Sequence, residues 1–444
     1  MRIIIAGAGE VGSHLAKLLT NEDQDILVID ADPDKLSTLD ANYNLMTLEG
    51  SPTSFKTLRH AGAAHCDLFI GLTPSETDNV VACSIAKRLG ATTTVARVSS
   101  YDFLEEGNSE LVKQMGVDRL IYPEYLAAQE IITSLRRSWV RHWFELHGGQ
   151  IIVVGVKVRS GAPIIGQQLR DFGRTNRNFH ISAIKRNHET IIPGGNDTIE
   201  ENDILYITCT RDHVDELLEL TGKKPHRIRR VMIMGGGKIA IRLTALAGDE
   251  FKFKIIESNP DICRRLPERC PNAEIVQGDA REMDLLIDES IDKYDAFVAL
   301  TGSSESNILT CLSTKELGIK KTIAEVENIQ FVSQAENLNI GTIINKKLLA
   351  SSTIFQLLLD SDSSTSKCLA LADAEVAEIE ARPGSKITRS EVKDLKLPGD
   401  MTIGGLMRDG VGMLVGGSTR ILPGDHVVVF CLTGALHKAE RMFT

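Results

Sequence analysis

Long apolar runs are missing from this 444-residue chain: the longest uncharged ones, such as Ile151 to Val156, are about six residues, against the ~20 that a helix needs to cross a bilayer. No membrane span is expected. A charged, apolar and cleavable leader is also missing, because Met1-Arg2-Ile3-Ile4-Ile5 starts a strand at once and runs into glycines; a cytoplasmic location is the expectation. Positive charge is not in excess. With 50 Lys+Arg against 60 Asp+Glu the formal net charge is -10, so no nucleic-acid partner is expected, since duplex binders carry a basic stripe. The eight cysteines (Cys66, Cys83, Cys209, Cys263, Cys270, Cys311, Cys368 and Cys431) form no C-x-x-C pair. Most sit in apolar patterns where a thiol behaves as a small hydrophobe, so no metal centre is expected. H-E-x-x-H and G-x-S-x-G are absent, and the eleven histidines are scattered.

What remains is an ordinary globular composition, 42% apolar and 25% charged. The length exceeds the roughly 250–300 residues at which a single core stops growing, so the chain divides into at least two domains. The division is a duplication. Arg2-Ile3-Ile4-Ile5-Ala6-Gly7-Ala8-Gly9 returns as Val231-Met232-Ile233-Met234-Gly235-Gly236-Gly237, an offset of 235 - 7 = 228. The same offset relates Gly50 to Gly278, Thr73 to Thr301, Asn79 to Asn307 and Lys87 to Lys315. Further on, Ile199 to Tyr206 matches Ile421 to Val428 at 425 - 203 = 222.

Each copy has two parts. In the first, apolar strands (Ile3 to Ala6, Ile26 to Ile29, Leu68 to Leu72, Thr94 to Val98) alternate with helical stretches such as Val11 to Thr20 and Asn79 to Leu89, which reads as a doubly wound parallel sheet. In the second, strands Ile151 to Val158, Ile181 to Lys185 and Asp203 to Cys209, with a turn at Pro193 to Asp197 and a helix from Asp212, read as a small α+β module. The expected domains are 1–140, 141–225, 228–360 and 367–444, two tandem Rossmann-like α/β domains each followed by a small α+β domain. Linkers are expected at Ser361 to Ser366 and at Lys223 to Arg230.

Gly7-Ala8-Gly9-Glu10-Val11-Gly12 is a G-x-G-x-x-G between a strand and a helix, with Asp30 at the end of the next strand, 30 - 12 = 18 residues on. In this motif the first glycine makes the tight turn, the second lets the backbone approach a pyrophosphate, the third lets helix and strand pack, and phosphate sits on the helix N-terminus. Asp30 is placed for ribose hydroxyls. With no Arg close behind it and Asp32 adding negative charge, NAD(H) or an adenine nucleotide such as ATP or ADP is favoured over NADP. In the second copy Gly235, Gly237 and Ala240 stand for the three glycines and Glu257 for Asp30. A P-loop is excluded because Met232 and Ile239 occupy positions that need Gly and Ser or Thr.

These residues, with Thr73-x-x-Glu76-x-x-Asn79, Ala96-Arg97-Val98, Ile121-Tyr122-Pro123-Glu124 and the segment closing on Glu201-Asn202-Asp203, resemble the regulator-of-potassium-conductance (RCK) family, and in particular the regulatory NAD-binding subunits of Trk-type potassium uptake systems. The resemblance spans essentially the whole chain. It implies a homo-oligomer, a tetrameric ring beneath a membrane potassium-translocating subunit, gated by NAD(H) and adenine nucleotides and peripheral on the inner face of the membrane. Carried over residue by residue, Gly7, Ala8, Gly9, Glu10, Val11 and Gly12 hold phosphate, Asp30 the ribose, Gly50 and Ser51 the adenine pocket, Thr73 and Glu76 the loop over the cofactor, and Arg97 the phosphates. In the second copy Gly278, Asp279 and Thr301 take these places, but Glu325 replaces Arg97, which puts an anion where a pyrophosphate needs a cation. Asn345-Lys346-Lys347 replace Tyr122-Pro123-Glu124.

Ile131, Leu135, Trp139 and Trp143 recur every four residues, with Arg136, Arg137 and Arg141 on other faces, so an amphipathic helix carrying both tryptophans is expected, with a subunit contact favoured as its role over an intramolecular core helix or a helix lying on a membrane. A non-enzyme is expected, because everything outside the Rossmann parts is itself duplicated and no catalytic domain is left. An NAD-dependent oxidoreductase and a regulator of a different channel or transporter stand as alternatives.

Overall fold

The computed structural model describes all residues except 21–23, 188, 224–225, 339, 362–364, 372–373 and 433–434; parts of both expected linkers, 224–225 and 362–364, therefore lie outside the described residues. Six strands, β1 (Arg2–Ala6), β2 (Asp25–Asp30), β3 (Met46–Glu49), β4 (Leu68–Gly71), β5 (Thr93–Arg97) and β6 (Arg119–Ile121), form one sheet in the order β3-β2-β1-β4-β5-β6. Neighbouring strands run parallel. Ile3, Ile4 and Ile5 are fully buried, because helices cover both faces of such a sheet and its central strands read as unbroken apolar runs. The helices start on polar caps. Asp32 caps Pro33–Asn42 and Ser75 caps Glu76–Leu89, each accepting a backbone N–H of the first turn.

After five strands that form an antiparallel sheet, β7 (His142–Leu146), β8 (Ile151–Lys157), β9 (Phe179–Arg186), β10 (Glu189–Ile191) and β11 (Ile204–Thr210), the pattern repeats. Strands β12 (Arg230–Met234), β13 (Lys252–Glu257), β14 (Ala273–Gln277), β15 (Ala296–Ala299), β16 (Lys321–Glu325) and β17 (Thr342–Ile344) give the order β14-β13-β12-β15-β16-β17, the same arrangement as the first sheet. Even the caps repeat, with Asn259 ahead of Pro260–Arg269 and Ser303 ahead of Ser304–Glu316. A second antiparallel sheet follows, from β18 (Thr365–Leu371), β19 (Ala374–Glu380), β20 (Met401–Arg408), β21 (Val411–Leu414) and β22 (His426–Leu432).

The two small antiparallel sheets share a core. Ile151, Val153, Ala183 and Tyr206 of one pack with Ala374, Val376, Val428 and Phe430 of the other. Where the repeats meet, His180 Nε2 lies 3.3 Å from the Thr402 hydroxyl, and 402 - 180 = 222 is the repeat offset itself. Burial pushes His180 down to about 4, so it is neutral at physiological pH. Each small domain is also tied internally by a bidentate pair. Arg186 Nε and Nη2 meet Asp203 Oδ1 and Oδ2 at 2.8 and 2.7 Å, and Arg408 meets Asp425 in the same way at 2.9 and 2.6 Å.

The chain does not fold in simple succession. One compact unit contains residues 1–127 and 345–361, and the other 128–344 and 362–444. The helix Lys346–Ser361, which follows the second parallel sheet, thus belongs with the first sheet, where it packs along Glu10–Thr20. His14 Nδ1 lies 3.0 Å from the Ser351 hydroxyl. Burial, and then Lys17 nearby, bring His14 down to about 4. The helix Pro123–Arg136 follows the first sheet, but its second half belongs to the other unit. There Ser134 donates to Thr342 Oγ1 at 3.0 Å, and Arg136 pairs with Glu250.

That helix ends at Arg136, which corrects the expectation of a helix through Trp143. Residues 137–139 form a turn, and Trp143 lies on β7. Both tryptophans pack on the core of the first small domain, with the Arg137 guanidinium 3.7 Å from the Trp143 ring centroid. They anchor the first small domain from a turn and a strand rather than from one helix. The physical reason is the local pattern: Val140, His142, Phe144 and Leu146 alternate, and that period of two fits an edge strand next to β8.

Cations gather between the first small domain and the second parallel sheet. Lys321 donates to the Val140 carbonyl at 3.2 Å and to Thr342 Oγ1 at 3.0 Å, and Lys223 to the Trp139 carbonyl at 2.8 Å. Burial first, then neighbouring cations, Arg141 foremost at Lys321 and Arg159 at Lys223, push both lysines down to about 7. Lys315 falls to about 8, by burial and then Arg159 and Arg141. Opposite them, burial raises the Glu130 carboxyl. Thiols are apolar filler: burial drives Cys66 up to about 11 and Cys83, Cys209 and Cys311 to about 12.

Candidate functional site

At the carboxyl end of β1 the chain turns through Gly7 at φ 118°, a left-handed value, and a methyl group there would lie 2.8 Å from the Leu72 carbonyl carbon. Only glycine fits. Gly12 answers to packing: its added carbon would lie 1.9 Å from the Gly7 carbonyl oxygen. At Gly9 the same carbon meets nothing within 4 Å, so the protein itself does not require a glycine there. The second repeat divides the roles alike. Gly235 turns at φ 100° beside the Leu300 carbonyl, and Gly237 faces open space. Ala240 is buried at the third position.

The acidic residue at the end of the second strand braces the turn. Asp30 Oδ2 accepts from Ala8 N at 2.7 Å and Oδ1 from Asp32 N at 2.9 Å. Glu257 does the same with Gly236 N and Asn259 N, both at 2.7 Å. The carbonyls of these two residues receive Gly50 N and Gly278 N at 2.9 Å each. Ser51 is exposed and its hydroxyl lies 2.9 Å from Thr53 Oγ1. Asp279 is gripped by Arg281 Nε at 2.9 Å, and Arg281 holds its carboxyl below the usual range.

The opposite wall is a pin whose asparagine the sequence showed as a repeat landmark and as the end of Thr73-x-x-Glu76-x-x-Asn79. Asn79 Oδ1 accepts from Thr73 N and Oγ1 at 2.8 Å, while its Nδ2 donates to the carbonyls of Thr73 and Arg97 at 3.0 and 2.9 Å. This ties the end of β4 to the end of β5. Asn307 repeats the pin on Thr301 and on the Glu325 carbonyl at 2.9 Å. Glu76 stands apart: its Oε2 accepts from Ser99 N and Ser100 N at 2.8 Å, holding the loop after β5.

Two clefts result. In the second repeat a cleft of about 440 Å³ brings together Gly235, Gly237, Glu257, Gly278, Asp279 and Thr301, with Ser258, Arg281, Ser303 and Ser306 added. Glu325 is not part of its lining and is 3% exposed. In the first repeat a cleft of about 210 Å³ is lined by Gly9, Glu10, Val11 and Arg97 with Leu72, Pro74 and Pro123, and by Lys346 and Lys347. The last two come from the second repeat and escaped the reading of the sequence as site residues. Lys347 pairs with Glu10, and Arg97 Nε is buried with no hydrogen-bond partner. Among the described residues no group of three or more His, Cys, Asp or Glu could hold a metal ion, and no helix is long and apolar enough to cross a membrane.

Comparison with known proteins agrees with this duplication. The TrkA-N domain model matches residues 3–123 and 231–346, and the TrkA-C domain model residues 153–222 and 376–444. The chain is 30% identical to the Trk system potassium uptake protein TrkA of Haemophilus influenzae over 97% of this chain and 95% of that protein. It is 30% identical to that of Halomonas elongata, over 100% and 98%, and 30% identical to the TrkA homolog of Archaeoglobus fulgidus, over 100% of both. In fold it is similar to the GsuK RCK domain (TM-score 0.60, 18% identity, 100% of this chain and 94% of that one). It is likewise similar to the GsuK channel bound to NAD (TM-score 0.60, 17% identity, 100% and 78%).

Proposed function

The chain belongs to the TrkA family, as two tandem TrkA-N and TrkA-C units, and from that premise we propose that it is a nucleotide-sensing regulatory subunit that gates a membrane potassium-translocating subunit of Trk type. The observation that carries the reading is the open second glycine in each repeat. Gly9 and Gly237 border clefts at the carboxyl ends of parallel strands and face no protein atom within 4 Å of an added carbon, and that is where dinucleotides lie in doubly wound sheets.

In this reading Gly7 to Gly12, with the start of helix Glu10–Thr20, hold phosphate. Asp30 and Glu257 take ribose hydroxyls with the lone pairs that the turn leaves over, and Gly50, Ser51, Gly278 and Asp279 face the adenine. Thr73, Thr301, Glu76 and Arg97 shape the far wall. NAD(H) is the ligand named first, with ATP and ADP beside it. Domains 1–140, 141–225, 228–360 and 367–444 alternate sensor and small α+β modules, and copies of the chain form a tetrameric ring on the inner face of the membrane through the translocating subunit. Binding then acts by its difference in affinity between two states of the ring, typically about 1–3 kcal/mol. No part of the chain is left over for substrate chemistry, since the remainder is the duplicated small domain.

The test is calorimetric titration of the whole chain with NADH, NAD+ and ATP, alongside potassium flux into vesicles containing the co-purified translocating subunit. Binding without turnover of a carbonyl substrate, and flux that changes with nucleotide, is the expected result. Turnover of NADH, or flux indifferent to every nucleotide, would defeat the proposal.

A further inference from the structure

We infer an anion site where Lys157, Arg159 and Lys223 of the first small domain meet Lys321 of the second parallel sheet, a site that takes a small, multiply charged phosphate such as inorganic pyrophosphate. It lies at the opposite end of the strands from the second nucleotide cleft. Lys321 opens β16 and Glu325 closes it, a span of about 13 Å at the usual strand rise.

Backbone contacts draw the four cations together. Lys223 Nζ donates to the Trp139 carbonyl at 2.8 Å and Lys321 Nζ to the next carbonyl, that of Val140, at 3.2 Å, so both ammonium groups lie against one two-residue stretch. Arg141 follows, and its N–H donates to the Gly155 carbonyl at 2.8 Å, two residues before Lys157. Arg159 opens a turn that Ala162 N closes on the Arg159 carbonyl at 3.1 Å. Ala162 in turn lies against the residue before Lys223, since a carbon added to Gly222 would be 3.2 Å from Ala162 Cα. Exposure falls inward. Arg159 is exposed, Lys157 and Lys223 are half-buried, and Lys321 is 6% exposed beneath them.

Among the described residues Lys157 and Arg159 have no ion pair, and Lys223 and Lys321 bond to neutral oxygens, the second of Lys321 being the Thr342 hydroxyl at 3.0 Å. Glu130 is the carboxylate that acts on Lys321, and burial pushes it toward its neutral form. Burial, then Arg141 and Arg159, also lower Lys157. Buried cations are ordinarily paired. An oxyanion held by Arg159, Lys157 and Lys223 gains three charge-assisted contacts and offsets the repulsion among them. The arginine fork and the two ammonium groups suit phosphate oxygens. Because the inner cations are recessed, the occupant is a small free anion and not a headgroup held in a membrane surface.

The duplication shows that this charge is an acquisition. In the first repeat Lys87, the counterpart of Lys315, meets Asp118 Oδ2 at 2.8 Å, and Asp118 also accepts Thr94 N at 2.8 Å. The strands align at 119 + 223 = 342 and 93 + 228 = 321, so Gly341 stands for Asp118 and Lys321 for Thr93. The second repeat has thus exchanged a carboxylate for a glycine and a threonine for a lysine. No side chain fits at Gly341, where φ is 109° and an added carbon would lie 2.1 Å from the Thr322 carbonyl oxygen. On the small-domain side Lys157 ends β8, whereas Glu380 ends the matching β19. An anion bound here ties the first small domain to the second parallel sheet.

The experiment titrates inorganic pyrophosphate into the full chain by calorimetry, with and without excess NAD+. One pyrophosphate per chain should remain bound when NAD+ is in excess. Lys157→Gln with Arg159→Gln, both at the outer rim, should weaken it at least about tenfold, as expected on losing charge-assisted hydrogen bonds. Lys321→Met, beneath the rim, should weaken it by a few fold. Sulfate, which carries no proton near neutral pH, reads the charge directly. Its binding at about pH 7.5 should take up protons, seen as a heat that depends on the buffer, because an anion favours the charged forms of Lys223 and Lys321. The uptake should fade at about pH 6, where both are already charged. Unchanged pyrophosphate affinity in the double variant, no pyrophosphate left bound under excess NAD+, or a sulfate heat indifferent to the buffer at about pH 7.5 overturns the site. None of these outcomes bears on the nucleotide reading, which the NADH titration tests.

Discussion

At Gly12 an added methyl carbon would lie 1.9 Å from a backbone oxygen, and at Gly9, three residues earlier, it would meet nothing within 4 Å. One motif thus contains a glycine kept for the fold and a glycine kept for a guest. Gly12→Ala should cost about 1–3 kcal/mol of stability, as overpacking does, whereas Gly9→Ala should shift it by less than about 0.5 kcal/mol yet weaken nucleotide binding. Urea unfolding and calorimetry on the two variants separate these, and the idea fails if both behave alike. Asp30 has two duties, since its oxygens hold Ala8 N and Asp32 N while facing the ribose in our reading. Asp30→Ala should lose about 1.5–3 kcal/mol of nucleotide affinity. Asp30→Asn, which retains one acceptor, should lose less. Unchanged affinity in both would remove Asp30 from the site.

The elements repeat their devices, and the repetition makes them testable in pairs. Arg186 and Arg408 each hold a carboxylate, Asp203 and Asp425, that is 1% and 2% exposed. Removing the arginine strands a buried charge, so Arg186→Ala should destabilise by about 3–5 kcal/mol in denaturant unfolding. A cost below about 1 kcal/mol would show that water reaches Asp203. Lys321 makes a prediction in pH. Its folded-state value of about 7 lies below the ordinary 10.5, so between these values the unfolded chain binds more protons than the folded one, and stability rises with pH across that window. Below pH 7 the full cost of the charge is present. The slope of stability between pH 7 and 10 should be shallower in Lys321→Met than in the unaltered chain, and an identical slope would place the titration elsewhere.

Elements were legible in the sequence where one period dominates. The buried runs Ile3 to Ala6 and Val231 to Met234 and the glycines after them can be read directly, because parallel strands are apolar on both faces and a turn at positive φ admits little else. The stretch from Ile131 to Trp143 misled, since a spacing of four runs unbroken through a helix, a turn and a strand, and tertiary packing on the first small domain decided the boundary. Asn79 and Asn307 were visible as landmarks but not as pins, for their partners are backbone groups that a sequence does not display. Lys346 and Lys347 were noted as a departure between copies. Their place in the other repeat's cleft depends on which sheet a helix chooses, and an amphipathic pattern does not name its partner.

For the whole molecule the unequal clefts set the binding behaviour. One receives Arg97 and two lysines from the other repeat, and one is lined by Glu257 and the Asp279 to Arg281 pair. An isotherm of ATP on the full chain should resolve one strong and one weak or absent class, and two equal strong classes would contradict the asymmetry. The exchanged helix has a further consequence, for the way such a chain is held together. A single repeat, 1–225, would lack the helix that covers Glu10–Thr20 and could obtain one only from another molecule, so its folding would depend on dilution. Joining two repeats in one polypeptide turns that encounter into an intramolecular one, with a local concentration set by the connecting segment, of order millimolar for a short flexible tether. The tandem chain is in this sense a dimer that cannot be diluted apart, and its two halves, released from having to recognise themselves, are free to diverge at the surfaces each lends to the other.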